Sequence, residues 1–138
     1  LEQYFYDIIN FYYKLMGGGI FLTSIKNKLG NVYIDNEVIA KIAGMAATDC
    51  YGIVGMAIKD VKDGIVQLLK RDSLTKGVKI YTNDNLISID MHIIVEFGTN
   101  ISAIVETLIA TVKYRIKESL GFNVDKINIF VEEIRVDS

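Results

Sequence analysis

The sequence contains no proline, no tryptophan, one cysteine and one histidine in 138 residues. A single cysteine, Cys50, excludes an internal disulfide framework and a cysteine-based zinc cluster. A single histidine, His92, excludes a histidine-rich metal site within one chain. The charges nearly balance, with 15 Lys and Arg against 17 Asp and Glu, which argues against a protein built mainly to neutralise phosphates. What the sequence does have is apolar residues, at 51%, enough for one folded domain with a substantial core.

The first 21 residues differ in character from the rest of the chain. They hold half of its aromatic residues, but polar residues interrupt the apolar ones, so neither a secretory signal nor a membrane span fits. An amphipathic surface helix is one alternative, although this stretch has little positive charge. Codons for Gly17–Gly19 are G-rich and resemble a bacterial ribosome-binding sequence, and Leu22 follows at a suitable distance for an initiator. We therefore expect residues 1–21 to be a translated leader or a disordered extension, and residues 22–138 to be a single domain.

The first periodic segment predicts a strand followed by a helix. Residues 31–34 favour a strand, Asp35 or Asn36 offers an N-cap, and apolar residues then recur at helical spacing as far as Cys50. Gly44 inside this helix requires a packing reason, because glycine costs about 1 kcal/mol against alanine there. Small side chains surround it, and the candidate interaction surface is therefore Gly44, Ala46 and Ala47. The alternative is internal packing of this helix on the sheet.

The remaining pattern alternates between strands and helices. It predicts a short strand at 53–56, a second helix from Ile58 to Arg71, and a hairpin whose strands flank residues 83–85. A long helix follows, capped by Thr99 or Asn100 and ended by Gly121. In the last strand the apolar alternation slips by one residue, which indicates a β-bulge at Glu132–Glu133. The predicted fold is α+β, a single layer of mixed sheet with helices on one face, in the order β-α-β-α-β-β-α-β.

Candidate reactive groups are few. His92 could act as a general base with Asp90, which shares its strand face, but a solvent-facing strand histidine is the simpler interpretation. Cys50 lies in an apolar stripe, where a thiol behaves as a small hydrophobic side chain. Glu132 and Glu133 would face opposite sides of a regular strand, and only a bulge would bring them together.

Two small basic clusters also occur, Lys26 with Lys28 and Lys113 with Arg115 and Lys117. Neither cluster is interleaved with aromatic side chains of the kind that stack on bases, so we do not expect nucleic-acid binding. The second cluster is near the predicted end of a helix, where positive charge is favourable.

The ordered motifs resemble one known family. The run at residues 30–47, beginning GNVYIDNEVIAKIAG, is followed by CYGIVGM at residues 50–56 and ISIDMHIIVEFG at residues 87–98. Together with the ending VDKINIFV at residues 124–131, these segments resemble the alkaline-shock or general-stress proteins, also called envelope stress response proteins. The similarity covers residues 30–136, and the small size of the chain together with DCYGIVGM at residues 49–56 points to the short housekeeping-type members.

This resemblance implies a non-enzymatic cytoplasmic protein of Gram-positive bacteria that serves cell-envelope homeostasis. It implies self-association into a homo-oligomer, no cofactor or metal, and a location near the membrane through a small membrane-anchored partner. An alternative that it also suggests is an accessory of an enzyme related to dihydroxyacetone or fatty-acid kinases. The family supplies no catalytic residues, and the contact surface would be either the small residues of the first helix or an exposed edge of the sheet.

Overall fold

The computed structural model describes residues 22–27, 30–83 and 86–136, so the expected leader over residues 1–21 lies outside the described residues. A 3₁₀ helix spans Arg71–Gly77. The other elements, in chain order, are β1 (Leu22–Asn27), β2 (Gly30–Asp35), α1 (Asn36–Asp49), β3 (Ile53–Lys59), β4 (Val66–Leu68), β5 (Val78–Asn83), β6 (Leu86–Glu96), α2 (Ile101–Leu120) and β7 (Val124–Arg135).

Strand β6 is the centre of a mixed five-stranded sheet. Along one edge it pairs in parallel with β7 through residues 87–96. Along its other edge it pairs antiparallel first with β5, through residues 86–91, and then with β3, through residues 93–95. Strand β4 extends the sheet beyond β3, whereas β1 and β2 form a separate antiparallel pair. The prediction of an α+β fold with a mixed sheet is confirmed.

Both α-helices pack on the same face of this sheet. Every second residue of β6 is buried in one apolar cluster that α1 and α2 also enter. The contributing residues of β6 are Ile87, Ile89, Met91, Ile93 and Val95, and those of α2 are Ile104, Leu108, Val112 and Ile116. Burial of an isoleucine or leucine side chain stabilises the fold by about 1.5–3 kcal/mol, so this cluster dominates the stability.

The helix ends follow the sequence closely. The Asp35 carboxylate accepts a hydrogen bond from the Glu37 N–H at 2.9 Å, and the Asn100 amide oxygen accepts one from the Ala103 N–H at 3.1 Å. Gly121 ends α2 in the left-handed conformation, with φ +80°. The two side chains satisfy N–H groups of the first turns, and the Gly121 N–H donates to the Lys117 carbonyl in the last turn of α2, as the capping residues predicted.

The predicted second helix, Ile58 to Arg71, is wrong. Strand β3 runs on to Lys59, a turn follows, and β4 returns antiparallel to it. The turn is closed by the Asp60 carboxylate, which accepts from the Lys62 N–H at 2.8 Å, and by Gly64, whose φ of +66° is outside the helical range. A helical segment does occur in this part of the chain, but it is the 3₁₀ helix that begins at Arg71.

The predicted bulge in the last strand is confirmed. Val131 pairs with Ile93, and the next pair along the two strands is Glu133 with Ile94. Glu132 is therefore the extra residue in β7. A second slip of the same kind makes Asp125 an extra residue near the start of the strand. Residues 126–131 form a regular segment between these two bulges.

Candidate interaction surface

The small residues of α1 lie in the interior of the domain. Ala46 and Ala47 have no solvent exposure, and a Cβ atom added to Gly44 would lie 3.1 Å from the Leu74 Cβ. The packing reason for this glycine is thus the close approach of the 3₁₀ helix to α1. The structure places Gly44, Ala46 and Ala47 in internal packing, and these residues present no surface to another molecule in this conformation.

The opposite face of the sheet is not covered by the two α-helices, and we call it the open face. The residues that β6 contributes to it are Ser88, Asp90, His92, Ile94 and Glu96, all but one of which are only half-buried. Direct pairing places Lys126, Asn128 and Phe130 of β7 beside them, and Lys79 and Tyr81 of β5 on the other side. This face therefore offers polar and aromatic groups rather than a continuous apolar layer.

His92 is held by two residues of β7. Its Nδ1 atom lies 2.7 Å from Oε1 of Glu132, and its ring stacks on Phe130 with 4.8 Å between the ring centroids. Both side chains are largely shielded, with 28% of His92 and 14% of Glu132 accessible. The bulge explains the contact, because an extra residue re-aims its side chain. Glu132 is thereby directed at the histidine.

The alternative in which Asp90 pairs with His92 is not found. An oxygen of the Asp90 carboxylate instead accepts a hydrogen bond from the Asn128 side-chain amide at 2.9 Å. Asp90 and His92 each bind a residue of β7, so the two contacts fix the parallel strands side by side. Glu132 orients the ring of His92, as a carboxylate does for an acid–base histidine, but what the arrangement shows directly is a link between strands.

The far end of the open face is apolar. Ile94 is fully buried although it points away from the two helices, and Ala57 is fully buried as well. Gly55 pairs with Ile94, and a Cβ atom on Gly55 would lie 2.9 Å from the Leu68 Cδ1. The short hairpin arm β4 therefore places Leu68 over this end of the face. Glycine at position 55 provides the space for that side chain.

The outer edge of β7 is the longest strand edge without a partner among the described residues. Strand β7 has twelve residues, and in this part of the chain it pairs only with β6. Its exposed apolar side chains are Phe130, Val131, Ile134 and, just beyond the strand, Val136. An exposed edge of this kind presents unpaired N–H and C=O groups and is a template for another strand.

The remaining candidates have structural partners or lie outside the described side chains. Cys50 caps α1, with its N–H donating to the Ala47 carbonyl, and it is half-buried against the core. Arg115 donates to the Asp49 carboxylate at 2.8 Å and so joins α2 to the end of α1. Lys28 and the side chain of Lys26 are outside what the structure describes. In the described ranges, no group of three or more His, Cys, Asp or Glu residues is placed to hold a metal ion.

Sequence reasoning located the bulge but missed the partner of Glu132. The slip in apolar alternation was a sufficient signal for an extra residue. Nothing in the local pattern indicated that β7 lies parallel to β6, and that pairing brings Glu132 to His92.

Within the described residues, no helix is both long enough and apolar enough to cross a membrane.

Comparison with known proteins gives a consistent assignment. The model of the alkaline shock protein 23 family, described as having a cell envelope-related function, matches residues 24–136. The chain is 44% identical to the uncharacterized protein YloU of Bacillus subtilis (strain 168) over 113 residues, covering 81% of this chain and 94% of YloU. It is 30% identical to the uncharacterized protein YqhY of the same strain, over 80% of this chain and 81% of YqhY.

A more distant relative carries a functional name. The chain is 24% identical to a stress response regulator gls24 homolog of Streptococcus pyogenes serotype M3 (strain MGAS315), over 77% of this chain and 59% of that protein. No solved structure is significantly similar to this chain.

Proposed function

Because this chain belongs to the alkaline shock protein 23 family of cell envelope-related proteins, we propose that it acts as a non-enzymatic interaction module in the envelope stress response. In this role it associates with itself and presents a docking surface to a second protein. The stress response regulator name of a relative supports the stress-response part of the proposal.

One observation carries the proposal: among the described residues, the outer edge of β7 has no partner strand. A natural protein usually protects such an edge with a short strand, proline, charged side chains or β-bulges, and of these β7 has Lys126 and its two bulges. Here the edge is twelve residues long, the chain has no proline, and Phe130 and Ile134 keep 44% and 49% of their surface exposed. A strand from another molecule would pair these backbone groups and cover these side chains.

The cellular setting is the cytoplasm, at the membrane through a membrane-anchored partner. Arg135, Glu133 and Lys126 surround the apolar side chains of β7 with charge of both signs. A mixed rim of this kind suits a protein partner, since protein–protein interfaces combine an apolar centre with a polar rim. An anionic lipid surface would instead favour a cluster of positive charge.

Size-exclusion chromatography with light scattering tests self-association. We expect an oligomer at micromolar concentration, and Ile134→Lys should convert it to a monomer because lysine disfavours pairing at a strand edge. Tyr114→Lys on α2 is the matched control, since it adds the same charge at another exposed position. A wild-type chain that stays monomeric throughout the micromolar range would contradict the proposal.

Affinity capture from native cells tests the partner. Recovery of a small membrane-anchored protein would support the interaction module. Recovery of a soluble protein related to dihydroxyacetone or fatty-acid kinases would favour the alternative, an accessory to that enzyme.

A further inference from the structure

The outer edge of β7 matches itself when a second copy runs antiparallel to it. We propose that two chains pair through β7 with Ile129 opposite Ile129 on the two-fold axis. This inference rests on the proposed self-association and specifies the surface and register by which it occurs. The partner is thus a second copy of this chain.

The first argument is the match of faces. In an antiparallel pair, residues directly opposite lie on the same face of the joined sheet. Centring on Ile129 places Ile127 opposite Val131 on the helix-covered face, and Val124 opposite Ile134 further out on the same face. The exposed parts of Val131 and Ile134 then lie against Ile127 and Val124 of the other copy, which are themselves buried in each chain. A shift by one residue would place helix-facing side chains opposite side chains of the open face.

The second argument is charge. In this register Lys126 lies opposite Glu132 on the open face, beside the contact that Glu132 makes with His92 of its own chain, and the two-fold axis repeats the pair. Lys126 is exposed and forms no ion pair among the described residues. Centring on Phe130 would instead place Lys126 opposite Ile134 and Ile127 opposite Glu133. Centring on Phe130 would also place Asp125 opposite Arg135, but it sets Lys126 of the open face against Ile134 of the helix-covered face. Centring on Asn128 would place Lys126 opposite Phe130. Of the three, the axis at Ile129 is the one that joins opposite charges and keeps each face opposite itself.

One contact in this register is unfavourable, but the repulsion between its two carboxylates is weakened by neighbouring charge and by solvent. Asp125 lies opposite Glu133, but Glu133 is already bound by Arg135, with 3.0 Å between Oε2 and Nη2. Both residues are also at the ends of the paired segment, where solvent screens charge. The regular stretch between the bulges therefore determines the register.

The consequence is a closed dimer with one continuous sheet. A two-fold axis perpendicular to the sheet keeps the helices of both copies on one side and joins the two open faces on the other. Because the interface uses the same edge on both copies, it is complete with two chains. The two His92–Glu132 contacts then lie on either side of the dimer axis.

Disulfide trapping tests the register. In a Cys50→Ala background, Asn128→Cys and Phe130→Cys chains are oxidised separately and as an equal mixture, and intact mass separates the three dimers. Positions 128 and 130 of different copies are directly opposite, at a disulfide-compatible distance, whereas each position is diagonal to itself. We expect the mixed dimer to exceed either homodimer by roughly tenfold. Tyr114→Cys reports random collision, and circular dichroism confirms that each variant is folded.

Each other outcome contradicts the inference in a distinct way. Dominant Phe130→Cys homodimers would move the axis to Phe130, and efficient homodimers at both positions would show parallel pairing. Trapping no higher than Tyr114→Cys, in a chain that light scattering shows to be dimeric, would locate the interface elsewhere and leave the proposed self-association intact. A monomeric wild-type chain would remove both proposals.

A charge exchange provides an independent test. Lys126→Glu should raise the dimer Kd roughly tenfold, since two symmetry-related pairs change from attraction to repulsion. Adding Glu132→Lys to that variant should restore most of the affinity. Failure of the double variant to recover, while it remains folded, would contradict the pairing of Lys126 with Glu132.

Discussion

The two faces of β6 are ordered in different ways. On the helix-covered face, five alternating residues are almost completely excluded from solvent by the apolar side chains of α1 and α2. On the open face, Asp90 is instead fixed by a hydrogen bond from Asn128, and His92 by its contacts with Glu132 and Phe130 of β7. One strand thus combines a face that supplies most of the stability with a face free to make contacts.

The sharpest test of this comparison is a truncation on each face. Ile93→Ala removes a fully buried side chain from the helix-covered face and should lower the free energy of unfolding by about 4 kcal/mol, through lost burial and the cavity that remains. Tyr81→Ala, at a half-exposed site on the open face, should change it by less than about 1 kcal/mol. Urea denaturation measures both. Equal losses in the free energy of unfolding would mean that packing on the open face stabilises the fold as much as the apolar cluster does.

Gly52 and Gly98 have nearly the same backbone conformation but different surroundings. Substitutions at these two positions therefore distinguish steric crowding from backbone strain. Gly52 has φ +85° and Gly98 has φ +86°, but a Cβ atom on Gly52 would collide with the Ile104 side chain, whereas the space beside Gly98 is open. Gly52→Ala should cost about 3 kcal/mol, as left-handed strain and overpacking add together. Gly98→Ala should cost about 1 kcal/mol from strain alone.

Thermal and urea unfolding of the two alanine variants measure the difference. If both substitutions lower the free energy of unfolding equally, the contact with Ile104 does not restrict the side chain at position 52. A larger loss at Gly98 would contradict the assigned packing directly.

The sequence predicted most of the elements because their signals are local. Caps such as Asn100 and Gly121 act within one helical turn, and alternation along β6 depends only on neighbouring residues. The predicted helix at 58–71 was wrong because it rested only on the spacing of apolar residues. Ile58, Ile65 and Leu68 have helical spacing, but the structure leaves all three exposed to solvent, and the conformation of Gly64 excludes a helix.

The candidate surface was less predictable because it depends on which strands are neighbours. An exposed sheet edge was one expectation, but the sequence does not state that β7 is that edge. The small residues of α1 suggested a contact surface because the sequence does not show what packs against them. Their partner inside the domain, Leu74 of the 3₁₀ helix, is distant in sequence. Likewise, Glu132 and His92 are 40 residues apart and meet only through parallel pairing.

Adjacent glutamates in β7 give a finer test of the open face. Glu132→Ala removes the partner of a largely shielded histidine and should destabilise the fold by about 1 kcal/mol. Glu133→Ala removes an ion pair with Arg135 in which the two side chains are 39% and 40% exposed, so its effect should be less than about 0.5 kcal/mol. The chemical shifts of the His92 ring should move only in the first variant. Equal effects on both measurements would contradict the role of the bulge.

The smallest effect is expected at the ion pair between Arg115 and Asp49, which joins the ends of α2 and α1. Both side chains are more than one-third exposed, so water and salt weaken their attraction. Arg115→Ala should lower the free energy of unfolding by less than about 0.5 kcal/mol at low salt, and the loss should disappear in high salt. Lys113→Ala, which removes an equal charge without an ion pair among the described residues, is the control. A loss at Arg115 as large as that at Ile93 would show that this contact, rather than the apolar cluster, holds the helices on their face of the sheet.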